Sequence, residues 1–166
     1  MKHPLAALVL SAFLASCRGC ESPSAPAATP VVAKPPAFQR SLAEQLAAEA
    51  AGRGAHSLKT EDVFARLASA GVQLESTRQF LGATARARYC AGGRTVDGLS
   101  VAVCEYDSAA KAAEGLHHVE THFPGVVGRR ILGRGRFTLT LTTEQPVPSL
   151  ALAEAAFQTL PTSESP

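Results

Sequence analysis

Residues 83–106, ATARARYCAGGRTVDGLSVAVCEY, decide the fold. Two runs, 83–91 and 99–106, alternate between the two sides of an extended chain. Between them stand Gly92, Gly93, Asp97 and Gly98, so the natural reading is an antiparallel hairpin. Pairing the runs about Asp97 sets Cys90 opposite Cys104, on one face and within disulfide reach. That face also carries Arg86, Arg88, Ala102 and Tyr106. The other carries Ala87, Tyr89, Leu99, Val101 and Val103 and is the better core. Without a CxxC motif, the two cysteines read as a structural staple rather than as a redox or metal pair.

Outward from the hairpin, the chain alternates helical and strand-like stretches. Ser41-Leu42-Ala43-Glu44 has the form of a capping box opening a helix, and Gly52 stops it. Its apolar stripe of Leu42, Leu46 and Ala50 is thin, so it either docks on the domain or extends a stalk. Thr60 reads as the N-cap of a second helix, with Glu61 and Asp62 in its first turn. Val63, Phe64, Leu67 and Ala70 supply its buried face. Val72 and Leu74 alternate with Gln73 and Glu75, which indicates a short strand. After the hairpin, Asp107-Ser108 caps a helix running to about His122. Residues 129–133 and 136–142 form another strand pair, and a last helix covers roughly 149–160. The sum is an α+β fold: a small, mainly antiparallel sheet with helices packed on one face.

The same alternation in the last strand sends Phe137, Leu139 and Leu141 inward and Arg136, Thr138, Thr140 and Thr142 outward. Joined with Arg86, Arg88 and Tyr106, these make an arginine–threonine face. Planar guanidinium forks and hydroxyls suit carboxylate or phosphate, so this face is the candidate contact surface for an acidic protein partner of the envelope, a peptidoglycan strand or an anionic glycan. The bland alternative is an ordinary solvated sheet face. On the helix near 108–122, Glu114, His118 and His122 repeat every four residues and could share a transition metal. They lie opposite the stripe of Ala109, Ala112, Leu116, Val119 and Phe123, so a solvated helix face is preferred and no metal site is assigned. G-x-S-x-G, H-E-x-x-H, Walker and dinucleotide patterns are absent. No catalytic residue and no cofactor is therefore assigned. Seven Phe, two Tyr and no Trp, with a formal charge of only +2, argue against nucleic acid as a partner.

The N-terminus gives an address. Lys2 and His3 precede an apolar run from Leu5 to Leu14, too short to span a bilayer, which takes roughly 20 residues. The run ends in Leu14-Ala15-Ser16-Cys17, which resembles the lipobox of bacterial lipoproteins. The resemblance implies removal of residues 1–16 by signal peptidase II and diacylglyceryl, then acyl, modification of Cys17. Arg18 rather than Asp after the cysteine points to the outer membrane of a Gram-negative cell. Residues 17–40, punctuated by Pro23, Pro26, Pro30, Pro35 and Pro36, form a disordered tether; residues 41–160 are the α+β domain and 161–166 a disordered tail. Cys20 is left over, whether free, acylated or joined to another chain. The function expected is a lipid-anchored cell-envelope binding or assembly module, not an enzyme. Two alternatives stand beside it. One is an envelope enzyme or solute-binding domain whose site gathers distant residues. The other is a metal-binding envelope protein using His118 and His122.

Overall fold

The computed structural model describes residues 40–162. Cys17, the expected signal segment, residues 17–39 of the tether and residues 163–166 of the tail lie outside the described residues. Among the described residues the chain forms four helices and five strands. They are α1 (Leu42–Ala51), α2 (Thr60–Ser69), β1 (Leu74–Phe80), β2 (Tyr89–Thr95), β3 (Ser100–Glu105), α3 (Ala109–His122), β4 (Arg129–Arg134), β5 (Phe137–Thr142) and α4 (Pro148–Gln158). The strands make one sheet in the order β1-β2-β3-β5-β4, antiparallel at every pairing. The α+β class expected from the sequence is the class of the structure.

The hairpin register is the one the cysteines indicated. Cys90 pairs with Cys104, and a disulfide joins them at a Cα–Cα distance of 4.1 Å. The turn, however, is shorter than the glycines suggest. Gly92 and Gly93 lie inside β2, and the reversal is made by Val96, Asp97 and Gly98, with Gly98 at φ +94°. Glycine is required in the strand for space rather than for turning. A Cβ on Gly92 would sit 2.1 Å from the Val101 carbonyl oxygen and 2.9 Å from the Phe80 ring, and one on Gly93 would sit 2.0 Å from the Ser76 oxygen. At its other end the strand begins only at Tyr89. Residues 82–85 form a 3-10 turn, and Arg86 leaves it in the left-handed region at φ 57°. The strand expected around Val72–Glu75 runs on to Phe80.

Alternation along the strands separates two faces. Val101 and Val103 of β3 and Phe137, Leu139 and Leu141 of β5 point into one core. There they meet Val63 and Leu67 of α2 and Ala153 and Phe157 of α4, all essentially withdrawn from water. Burial of such side chains contributes about 1.5–3 kcal/mol each. The N-terminus of α4 is fixed from outside the helix. The Asp97 carboxylate accepts from the Ser149 hydroxyl at 2.9 Å and from its backbone N–H at 3.2 Å. In α2 the N-cap is Lys59, not Thr60, and the Asp62 carboxylate reaches back to the Lys59 N–H at 2.8 Å. In α1 the expected capping box is present, with the Glu44 carboxylate 2.7 Å from the Ser41 N–H.

Helix α3 lies on the other face, over one end. Gly115 is where it touches: the Tyr106 ring would be 2.2 Å from any Cβ there. Leu116 faces Gly133, which pairs with Thr138 on the face away from the α2–α4 core. The rest of that face carries no helix among the described residues, and that difference positions the site.

Candidate functional site: an open trough on the sheet

Strand pairing places the residues of the uncovered face in rows. One row runs Arg78, Gly92, Ala102, Thr140 and Ile131; the next runs Ser76, Arg94, Ser100, Thr142 and Arg129. Small residues in the middle of both rows leave a depression of about 400 Å³. Its lining includes Ser76, Arg78, Phe80, Arg94, Thr140 and Thr142. Arg78 and Arg94 are exposed. The Arg78 guanidinium lies 5.3 Å from the centre of the Phe80 ring, and Arg94 Nε donates to the Gly98 carbonyl oxygen at 3.2 Å. Among the described residues neither arginine is paired with a carboxylate, and no acidic side chain lines the trough. The trough offers two guanidiniums and four hydroxyls and carries a positive charge. It can take acceptors: carboxylates, phosphates and carbonyl oxygens.

The face expected from the sequence is thereby redrawn. Thr140 is in the trough, with Thr142 beside it. Thr138 is only 4% exposed, because α3 and Tyr106 cover it. Tyr106, expected outward, is buried in the same place. Its hydroxyl donates to the Ala85 carbonyl oxygen at 3.2 Å, and burial pushes the phenol up from its ordinary value. Arg136, also expected outward, is 5% exposed and works inside the protein. Its Nε donates to the Tyr106 carbonyl oxygen at 2.8 Å and its Nη1 to that of Leu58 at 2.9 Å. Arg86 and Arg88 stand apart from the trough, in a second depression with Tyr106, Asp107 and Lys111. There the Arg88 Nε is bound to the Asp107 carboxylate at 2.7 and 2.9 Å, so its charge already has a carboxylate partner.

What draws Arg136 inward is Glu105, a carboxylate at the end of β3 that is 1% exposed. Arg136 Nη2 lies 3.7 Å from it, the backbone N–H of Thr60 donates to it at 2.5 Å, and Arg53 binds it through Nε and Nη2. Arg53 also holds Glu61 at 2.6 and 2.7 Å and lies over the Tyr89 ring at 4.0 Å. The hydrogen bonds to Glu61 raise the Arg53 guanidinium above its ordinary value, and those same bonds lower Glu61. A buried charge with this many partners is a structural cluster; bare, it would cost several kcal/mol.

The histidine row is not fully solvated. His118 is partly buried, and withdrawal from water, then Arg86 and His122, lower its pKa. The His118 and His122 ring centres lie 4.1 Å apart with the planes tilted by 39°, His122 Nδ1 donates to the His118 carbonyl oxygen at 3.0 Å, and Glu114 pairs with Lys111 at 2.7 Å. Among the described residues no group of three or more His, Cys, Asp or Glu side chains is placed to hold a metal ion. No described helix is long and apolar enough to cross a membrane.

Arg78 and Arg94 are the residues that sequence reasoning missed. Ser76, Arg78 and Phe80 carry the period-two signal of β1, legible once the strand is continued past Glu75. Arg94 follows two glycines that mark a turn by composition, although they belong to the strand. Comparison of the chain with protein-family models, with curated proteins and with solved structures finds no match to any of them.

Proposed function

We propose that this chain is a lipid-anchored protein of the bacterial cell envelope that acts as a binding or assembly module rather than as an enzyme. The lipobox-like Leu14-Ala15-Ser16-Cys17 supports the anchor. Two or more acyl chains on Cys17 give lasting attachment where one gives only marginal binding. Arg18 in place of Asp favours the outer membrane. The observation that carries the binding role is the trough between Arg78 and Arg94: an uncovered sheet face with two exposed guanidiniums, hydroxyls from Ser76, Ser100, Thr140 and Thr142, and no acid in its lining. Among the described residues its polar side chains are guanidiniums and hydroxyls, and none is a histidine or carboxylate that could serve as a general base, which favours holding a ligand over transforming it.

Two measurements test the reading separately. Cys17→Ser should abolish fatty-acid labelling and release the protein from membranes or leave it unprocessed; unchanged labelling and fractionation would refute the anchor. Affinity capture from the organism's own envelope, with Arg78→Gln/Arg94→Gln as the comparison, should lose a specific partner. An identical set of captured molecules for both forms would refute the trough as the contact surface.

A further inference from the structure

We infer that the trough takes an extended acidic peptide segment of a partner protein, with carboxylates on alternate residues. The inference rests on the reading of this face as a binding surface and specifies its ligand. Arg78 pairs with Gly92, and Arg94 lies two residues further along β2, so the two arginines are diagonal neighbours on adjacent strands. Such positions are about 7–8 Å apart. In an extended chain, side chains at i and i+2 leave the same side with a repeat of roughly 6.8 Å, twice the rise per residue. With both guanidiniums turned over the trough, an Asp/Glu-x-Asp/Glu sequence presents one carboxylate to each.

The floor fits the same ligand. Gly93, Val101 and the small side chain of Ala102 form the floor beside the two arginines, so a flat extended chain can lie close. Ser100, Thr140 and Thr142 border that floor, and their hydroxyls can donate to peptide carbonyl oxygens. Chemistry separates a peptide from a sugar polymer. A neutral sugar polymer brings no anion to the two exposed guanidiniums, whereas an alternating acidic segment brings one for each. The arginines are free to turn toward a ligand. Among the described residues, Arg94 donates to a backbone carbonyl, that of Gly98, and Arg78 rests against the Phe80 ring.

The test uses the full-length protein in detergent and fluorescence anisotropy with three probes of similar length. They are a peptide with glutamate alternating with serine, a peptide of the same composition with its glutamates in one block, and oligogalacturonate. The alternating peptide should bind at least tenfold more tightly than either of the others. Arg78→Gln and Arg94→Gln should each weaken it about tenfold, while Arg88→Gln, in the neighbouring depression, leaves it unchanged. Equal binding of the alternating and blocked peptides, or tighter binding of oligogalacturonate, would overturn the peptide assignment while leaving an anion-binding face standing. Binding of all three that is indifferent to Arg78 and Arg94 would overturn the trough itself.

Discussion

Two groups of arginines flank this sheet, and they are used in opposite ways. Arg53 and Arg136 converge on the buried Glu105 and are spent inside the fold. Arg78 and Arg94 stand on the open face without a carboxylate among the described residues. The sequence around them does not distinguish the groups, since Arg94 and Arg136 each follow a glycine. What separates them is the position of one acid. Glu105 is on the side of β3 that faces the core, where an ionised carboxylate without partners would cost several kcal/mol, so nearby guanidiniums are drawn in to meet it. Among the described residues no acid lies beside Arg78 and Arg94, and they remain available.

The sharpest way to break this comparison is to unpair the buried group. Arg136→Ala leaves Glu105 short of a cation and the carbonyls of Leu58 and Tyr106 short of a donor; it should destabilise the protein by about 3–5 kcal/mol in urea unfolding. A loss below 1 kcal/mol would mean that Glu105 does not need Arg136. Removing the disulfide with Cys90→Ala/Cys104→Ala should cost about 3 kcal/mol, the chain-entropy value for a loop of roughly 15 residues. Gly115→Ala should lower stability by about 1–3 kcal/mol through overpacking against Tyr106, and Tyr106→Leu in the same chain should recover part of the loss. By contrast, Arg78→Gln and Arg94→Gln should change stability by no more than about 0.5 kcal/mol, as surface substitutions do. A larger loss would move those arginines from the ligand to the fold.

Acid should loosen the structure in a defined direction. Hydrogen bonds from Thr95 and Ser149 hold Asp97 below the ordinary aspartate value, and Arg53 does the same for Glu61. Carboxylates depressed in the folded state stabilise it above their unfolded pKa, near 4, and lose that contribution as pH falls through the lower folded value. Stability should therefore fall below about pH 4, and Asp97→Asn should flatten the fall. An unchanged acid limb in that variant would remove Asp97 from the account.

Some of this was legible in the sequence. The Cys90–Cys104 pairing followed from alternation, because a strand has only two faces and a tight turn fixes the register. The inward residues of β5 followed for the same reason. Alternation tells which residues share a face but not what covers it, so Thr138 and Tyr106 were assigned to an open surface that α3 in fact caps at Gly115. Gly92 and Gly93 read as turn residues because glycine is the commonest turn signal, whereas here they make room for Phe80 and for the Ser76 backbone. Arg136 could not be placed without knowing that Glu105 points into the core beside it. Arg78 lies in the part of β1 beyond Glu75, where the alternation signal is weaker, and Arg94 follows two glycines that mark a turn by composition.

The most direct test of the contrast between a spent and an available arginine group is an amide chemical-shift titration of the protein with the alternating acidic peptide. Shifts should concentrate at residues 76–80, 92–94, 100–102 and 140–142 and leave the amides of Arg53, Thr60 and Glu105 unmoved. Shifts centred on those three residues or on 86–88 and 106–111, or no shift anywhere, would contradict the account.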